Sequence, residues 1–421
     1  MSLVVTTETL PSGLRLVTEA MPHVRSVTVG VWLTRGSRHE SDAESGVAHF
    51  VEHMLFKGTT SRSAQQIAQE IDSIGGQLDA FTAKEYASYY IKVLDEHLPL
   101  ALDLLSDLVM RPAFEPADVD KEQGVILEEI KMVEDAPDDL VHEVFAQQFW
   151  SRHPLGRPIL GTPDTVSSFT ARGLRDYFSR TYLASNLVVA AAGHLDHASM
   201  RALVERAFAG LSAGPEVTGD APPVVTPGLV VRQKDTEQSH LCLGTPAYAQ
   251  THPDRHALYV LNTVLGGSMS SRLFQHIREE RGLAYAVFSN LTSYSDAGAV
   301  TVYAGCATDK IPEVMDLTLA ELRTLRSEPI TADELRRAKD HLKGSLMLSL
   351  ENTSSRMSQL ARHEISFGRH FSLDELVAAI DAVTADDVLR VAGDLFRDGA
   401  AVATVVGPKM SRPIDFGRLK V

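Results

Sequence analysis

The sequence predicts an α+β fold built twice over, each copy an antiparallel sheet with helices packed mainly on one face. Three observations carry that prediction. At 421 residues the chain is too long for one ordinary core. A Pro- and Gly-rich stretch without periodicity, AGPEVTGDAPPVVTPG at 213–228, divides it near the middle. The same order of elements recurs on either side of that stretch. The expected division is a first domain at 1–212, a linker at 213–228 and a homologous second domain at 229–421.

In the first half, Val27, Val29, Val31 and Leu33 alternate with other residues, as in a half-buried strand. A helix follows over Gly46–Lys57. The next carries Ile67, Ile71 and Ile74 on one face and stops at Gly75-Gly76, a C-terminal glycine signal. Two strand-like runs come next, LDAFTAK and YASYYIKVL. A long helix is marked by Leu98, Ala101, Leu102, Leu105 and Leu108, and a further helix runs from Asp118 to Glu134. The second half repeats the series. A helix at Ala257–Leu265 leads into GGSMSSRLFQHIREERGLAY, where Leu273, Ile277 and Gly282 stand like Ile67, Ile71 and Gly76. Pro329-Ile330-Thr331 then echoes Pro112–Glu115.

Composition narrows the function. Hydrophobic residues make up 44% and charged residues 23% of the chain, as in an ordinary globular protein. A net charge of −15 argues against a nucleic-acid partner, which calls for a basic face. No apolar run approaches the ~20 residues that span a bilayer, so no membrane role is expected. The N-terminus carries neither a secretory signal nor an Arg-rich presequence. The expected compartment is the cytoplasm, or an organellar matrix if a presequence has been removed. Cys242 and Cys306 are too few for a thiolate metal site, so any metal must use His and carboxylate ligands.

Such ligands are present. In His49-Phe50-Val51-Glu52-His53 the two histidines stand four apart on a predicted helix, side by side, and can clamp one ion. Glu52 lies beside both rings, where its carboxylate can activate a water on that ion. The motif alone is short enough to arise by chance. A third ligand comes from the Asp118–Glu134 helix, one face of which carries Val119, Glu122, Ile126, Glu129 and Val133. A carboxylate on an apolar face is costly unless paired or bound to a cation. A metal at Glu129, with Glu122 behind it to orient a ligand, would remove that cost. The alternative is a solvated acidic helix, since Glu115–Glu143 holds eleven acids against two Lys.

The second half is an internal control. Aligning the repeats puts Tyr259, Asn262 and Thr263 at the places of His49, Glu52 and His53, and Ala338 and Ser345 at those of Glu122 and Glu129. The apolar framework is kept and every polar member is gone. Residues needed only for folding would have been retained in both halves. His39, His142, His153 and His194 have no partner at helical spacing and read as ordinary histidines.

On these residues the chain resembles the pitrilysin-type metallopeptidases. Their motif is H-x-x-E-H followed by a glutamate 76 residues after the second His, here Glu129, with another seven residues earlier, here Glu122. The likeness extends to GQLDAFT at 76–82, HPLGRPILGT at 153–162 and LFQHIREERGLAY at 273–285. In size the chain is similar to the short branch, that of the mitochondrial processing peptidase subunits and their bacterial relatives. The resemblance implies a zinc endopeptidase acting on extended or unfolded peptides, with one zinc per chain. It implies that substrate adds as a strand beside Asp79-Ala80-Phe81, and that Arg278 and Tyr285 hold substrate and stabilise the oxyanion. The chain has only Leu265-Gly266-Gly267-Ser268 where the metal-free processing-peptidase partner has a long glycine-rich loop, and it keeps its own ligands. A homodimer is therefore expected. The alternative is a non-catalytic structural or assembly subunit on the same fold.

Overall fold

A computed structural model of the chain describes residues 5–214 and 221–410, with 414, 415, 417 and 419. Part of the expected linker, 215–220, lies outside the described residues. The first sheet comprises β1 (Val5–Thr9), β2 (Arg15–Ala20), β3 (Ser26–Leu33), β4 (Gln77–Thr82), β5 (Ala87–Leu94) and β6 (Leu187–Gly193). Its order is β1-β2-β6-β3-β5-β4. The second comprises β7 (Gly228–Gln233), β8 (Ser239–Ala247), β9 (Ala284–Ser293), β10 (Gly298–Cys306) and β11 (Val402–Gly407), in the order β7-β11-β8-β10-β9. Both sheets are antiparallel as expected, apart from one parallel pair in each, β2–β6 and β7–β11.

The expected helices form close to their predicted places: α1 (Val47–Leu55), α2 (Ala64–Ser73), α3 (Leu98–Met110) and α4 (Pro116–Asp135), followed by α5 (Pro137–Phe149). Ser63 starts α2 in a capping box with Gln66, and Gly75 in the left-handed region ends it. On one face of the first sheet, Val47, Phe50, Val51 and Met54 of α1 join Leu102 and Leu105 of α3, and the strand residues Val29, Val31 and Ile91, in one buried core. Among the described residues, no helix is long and apolar enough to cross a membrane.

The chain divides into two compact units, and they do not follow a cut at the linker. The first takes residues up to Ile130, then Arg157 onward to the linker, and Ser349–His370. The second takes Lys131–Gly156, Ala221–Leu348 and Phe371 onward. Each half of the sequence therefore gives one helical segment to the other half's sheet.

In the first unit, the given segment is the helix Thr353–Phe367, which covers the outer face of β2, β3 and β6. This corrects the half-buried reading of β3. Thr28 and Trp32, which point away from the main core, are buried under this helix. Thr28 Oγ1 lies 2.8 Å from Thr353 Oγ1, and Trp32 Nε1 donates to Met357 Sδ at 3.1 Å. Gly30 lies between them because a Cβ there would meet Met357 Sδ at 2.8 Å. Arg356 clamps the buried carboxylate of Glu19 with two N–H groups, Nε at 3.0 Å from Oε2. In the second unit, Val141, Val144, Phe145 and Phe149 of α5 pack with Val402 and Val406 of β11 and Cys242 of β8.

Removing Arg356 leaves the Glu19 carboxylate buried without its partner, which typically costs about 3–5 kcal/mol. The chain has two tryptophans, so a Trp150→Phe background leaves Trp32 as sole reporter of this face. In that background, Arg356→Ala should shift the red-shift midpoint of Trp32 emission to lower denaturant. An unchanged midpoint would mean that the ion pair does not hold the helix.

Candidate metal centre

Helix α1 buries Val47, Ala48, Phe50, Val51, Met54 and Leu55. That leaves His49, Glu52 and His53 together on its other side, each half-buried. Facing them, α4 buries Val119, Glu122 and Ile126 and carries Glu129 one turn further on. The rings of His49 and His53 lie 4.6 Å apart. Glu129 Oε2 sits 3.7 Å from Nε2 of His49 and 3.5 Å from Nε2 of His53.

Ligand atoms at tetrahedral corners about 2.0–2.1 Å from a zinc ion are separated by about 3.3 Å. The observed separations are close to that and longer than a good hydrogen bond. Glu129 Oε2 is buried with no hydrogen-bond partner among the described residues. A buried carboxylate oxygen aimed between two imidazoles and bonded to neither fits a cation held by all three. Among the described residues, no other cluster of His, Cys, Asp and Glu has metal-ligand geometry.

The surroundings sort the remaining groups. Glu122 Oε2 lies 3.0 Å from Nδ1 of His53, and Lys57 Nζ pairs with the other Glu122 oxygen at 2.7 Å. Glu122 thus turns the opposite nitrogen of His53 toward Glu129. Burial, and then the neighbouring His53, lower the pKa of His49 to about 4, which keeps its ring neutral and able to bind a metal. Glu52 bonds to neither histidine. The Thr82 hydroxyl donates to its Oε2, and burial is the main cause of a raised carboxyl pKa, opposed by that hydrogen bond.

Thr82 ends β4, the edge strand, so the candidate site lies beside a sheet edge. Ala83 N–H donates to Tyr86 O at 2.8 Å, which fixes the phase of the ladder. Phe81 and Asp79 therefore turn their backbones to β5, while Ala80 and Thr82 turn theirs to the free edge. The Ala80 N–H is covered by the carboxylate of Asp79 at 2.8 Å, whose other oxygen accepts from Tyr90 Oη at 2.9 Å.

The structure thus gathers His49, Glu52, His53, Glu122 and Glu129, with Asp79-Ala80-Phe81 on the adjoining strand. Arg278 and Tyr285 belong to the second unit. Arg278 lies on Phe274–Glu279, a wide π-helical turn, with its guanidinium 5.1 Å above the ring of exposed Tyr285. Thr82 and Lys57 had no sequence signal, since they reach the site through tertiary contacts. Of the other histidines, His142 contacts Cys242, His194 pairs with Asp95, and His39 and His153 meet nearby backbone. In the second unit, Thr263 and Ala338, the counterparts of His53 and Glu122, line one small pocket with Val264, Glu334 and Arg337. The helix pairing persists there without the ligands.

Residues 15–163 match the family described as Insulinase (Peptidase family M16), and residues 168–342 the one described as Peptidase M16 inactive domain. The uncharacterized zinc protease YmxG of Bacillus subtilis is 44% identical over 405 residues, covering 96% of this chain and 98% of that protein. An uncharacterized zinc protease of Streptomyces coelicolor is 45% identical over 408 residues, 95% of this chain and 89% of that one. A protease from Helicobacter pylori superposes with a TM-score of 0.89 at 23% identity, covering 97% of this chain and all (100%) of the other. The peptidase M16 inactive domain from Pseudomonas fluorescens gives 0.91 at 21% identity, covering 98% and 100%. At these identities the two solved structures speak to the fold alone.

Zinc titration separates the two glutamates. Glu129→Gln removes a candidate ligand, whereas Glu122→Gln removes only the group orienting His53, a change that usually weakens metal binding ~10–100-fold. Both variants should bind zinc more weakly than wild type, Glu129→Gln by the larger factor. Wild-type affinity in Glu129→Gln would sink the three-ligand site.

Proposed function

The chain belongs to peptidase family M16, and from that premise we propose that it is a zinc endopeptidase that hydrolyses extended or unfolded peptides. The observation that carries the reading is Glu129 Oε2, buried and unbonded between His49 Nε2 and His53 Nε2, with the Glu52 carboxylate beside them. The names of the relatives support the choice of metal. A zinc ion held by His49, His53 and Glu129 supplies Lewis acidity that makes water nucleophilic near neutral pH.

Glu52 then has the work of a general base. It is not a ligand, Thr82 holds one of its oxygens, and its raised pKa lets it both take a proton from the attacking water and return it to the leaving amine. The outward backbone of Ala80 and Thr82 offers a peptide the hydrogen bonds of an added strand, once Asp79 releases the Ala80 N–H. That mode requires an extended substrate, and a folded domain would be refused. The stacked Arg278 and exposed Tyr285 are assigned to a second copy's site: in a homodimer, each copy contributes its pair to the other's zinc centre. Both cysteines are free and buried, in keeping with a reducing compartment such as the cytoplasm.

Glu52→Gln tests the chemistry against a non-catalytic role on the same fold. It should keep about one zinc per chain while turnover of an unfolded peptide falls ~100-fold or more. Zinc lost together with activity would remove Glu52 from the role of base, and an inactive wild type that binds zinc would favour the structural reading.

Subunit mixing tests the shared site. Glu52→Gln protein and Arg278→Ala/Tyr285→Phe protein are each expected to be inactive. After random exchange, half the dimers are mixed and half their sites carry no defect, so activity should return to about 25% of wild type. No recovery, with exchange proven by co-purification of two tags, would overturn completion by a partner.

A further inference from the structure

Helix α1 lacks an ordinary cap. Its N-cap residue is Gly46, in the left-handed region at φ 94, with no side chain to accept the free N–H groups of the first turn. Two N–H groups at this end are met from outside the helix. Glu40 Oε2 accepts the N–H of Gly46 at 2.9 Å, and Glu40 Oε1 accepts that of Ala48 at 2.8 Å. Glu40 is 4% exposed.

A wall of packed backbone stands behind this joint. A Cβ on Gly46 would meet Leu160 O at 2.7 Å, and Gly161, itself left-handed at φ 78, presses on Ser45. Thr165 Oγ1 donates to Ser45 O at 2.7 Å. Arg157 donates to the Glu40 carbonyl at 2.6 Å and pairs with Asp42 at 2.7 Å, while Lys84 donates to the Arg157 carbonyl. The segment HPLGRPILGT thus gains a purpose that its sequence did not reveal: from Arg157 onward it braces the start of α1.

We propose that Glu40 is a positioning residue, whose carboxylate fixes the N-terminus of α1 and so sets where His49, Glu52 and His53 stand. The inference rests on the proposed zinc-peptidase reading and extends it to a residue outside the metal centre. An anion suits a helix N-terminus. Burial nonetheless pushes the Glu40 carboxyl up to about 7, against the two N–H bonds and the charges of Arg157 and Lys84. An ionisable group is thus kept buried at this joint, where burial disfavours its charged form. Two acceptor oxygens on one rigid group satisfy Gly46 and Ala48 each with its own acceptor.

Geometry gives the lever. From Ala48 to His53 the axis rises about 7.5 Å, so a ~10° pivot at the anchored end displaces His53 by ~1 Å. Misplacement by about 1 Å can cost ~100-fold in rate. At nine residues α1 is too short to hold itself together without its packing and its anchor.

The test compares Glu40→Gln, which leaves one of the two N–H groups without its acceptor, with Arg356→Ala, which weakens the same unit away from α1. Glu40→Gln should raise the zinc dissociation constant ~10–100-fold, as loss of an orienting partner does, with Arg356→Ala within about threefold of wild type. Turnover per zinc-loaded chain should fall likewise in Glu40→Gln only, with KM little changed. If Glu40→Gln shifts zinc affinity and turnover no further than Arg356→Ala, Glu40 is merely structural and the proposal fails. Should Glu40→Gln not fold, Glu40→Asp keeps the charge but withdraws it by about 1.5 Å, and should show the same losses to a smaller degree. One measurement needs neither variant nor zinc. In metal-free wild type the Ala48 amide should resist hydrogen exchange, and free exchange there would overturn the anchor while leaving the zinc-peptidase reading intact.

Discussion

The rest of the first unit is arranged around one unfavourable juxtaposition. Glu129 directs a carboxylate oxygen into a half-buried space between two imidazoles that donate nothing to it. Such a group is costly to bury without a counter-charge. The fold tolerates it because α1 and α4 are held by apolar faces that do not include it: Phe50, Val51 and Met54 on one helix, Val119 and Ile126 on the other. Stability comes from one side of each helix and is given up on the other. Glu122 follows the same division, since its two oxygens are occupied by His53 and Lys57 and only Glu129 is left open to a cation.

The exchange of helical segments bears on how the halves behave. Thr353–Phe367 covers the outer face of β2, β3 and β6 in the first sheet, and α5 packs on β8 and β11 of the second. Neither half-sequence can cover both faces of its own sheet. Strands β3 and β6 are accordingly buried along nearly their whole length, more like strands of a two-sided sheet than of an open one. A chain cut at the linker would expose Trp32, Val188 and Ala190 to water, where Met357, Leu360 and Ala361 now pack. The two halves are repeats in sequence, and each unit needs both.

Much of this could be read from the residues. Period-two and period-3.6 patterns placed β3, β4 and β5 and helices α1 to α4 in the first half, and the helix at Ala257–Leu265 in the second, because those elements bury one face in a main core. The candidate metal ligands were legible because helical spacing alone puts His49 beside His53, and because Glu129 shares a stripe with Val119 and Ile126. What stayed hidden depends on residues far apart in the chain. Thr28 reads as a solvent-facing strand residue until the helix at Thr353 is brought over it. Thr82 reaches Glu52 across a sheet edge. Glu40 gives no sequence signal as a cap, since it stands six residues before the N–H of Gly46 and caps by tertiary reach instead of adjacency. The π-helical turn bearing Arg278 has the same apolar spacing as an α-helix over so short a run.

The asymmetry between the halves follows from the same cost. A buried polar cluster is tolerable when complete and worse than an apolar one when partly dismantled. In a duplicated unit that does without a metal, losing one candidate ligand would leave the others buried without a partner. Each further loss would then remove part of that cost. That predicts an all-or-none pattern, and the second unit has it. All five positions have changed, to Tyr259, Asn262, Thr263, Ala338 and Ser345. Thr263 turns its hydroxyl back to the Tyr259 carbonyl at 2.9 Å, and Ala338 is buried where Glu122 would need two partners. No histidine or carboxylate survives at those five positions, although Asn262 Oδ1 is buried without a hydrogen-bond partner among the described residues. The unit that kept its cluster kept every member, which is the outcome expected if the members are tolerated only together.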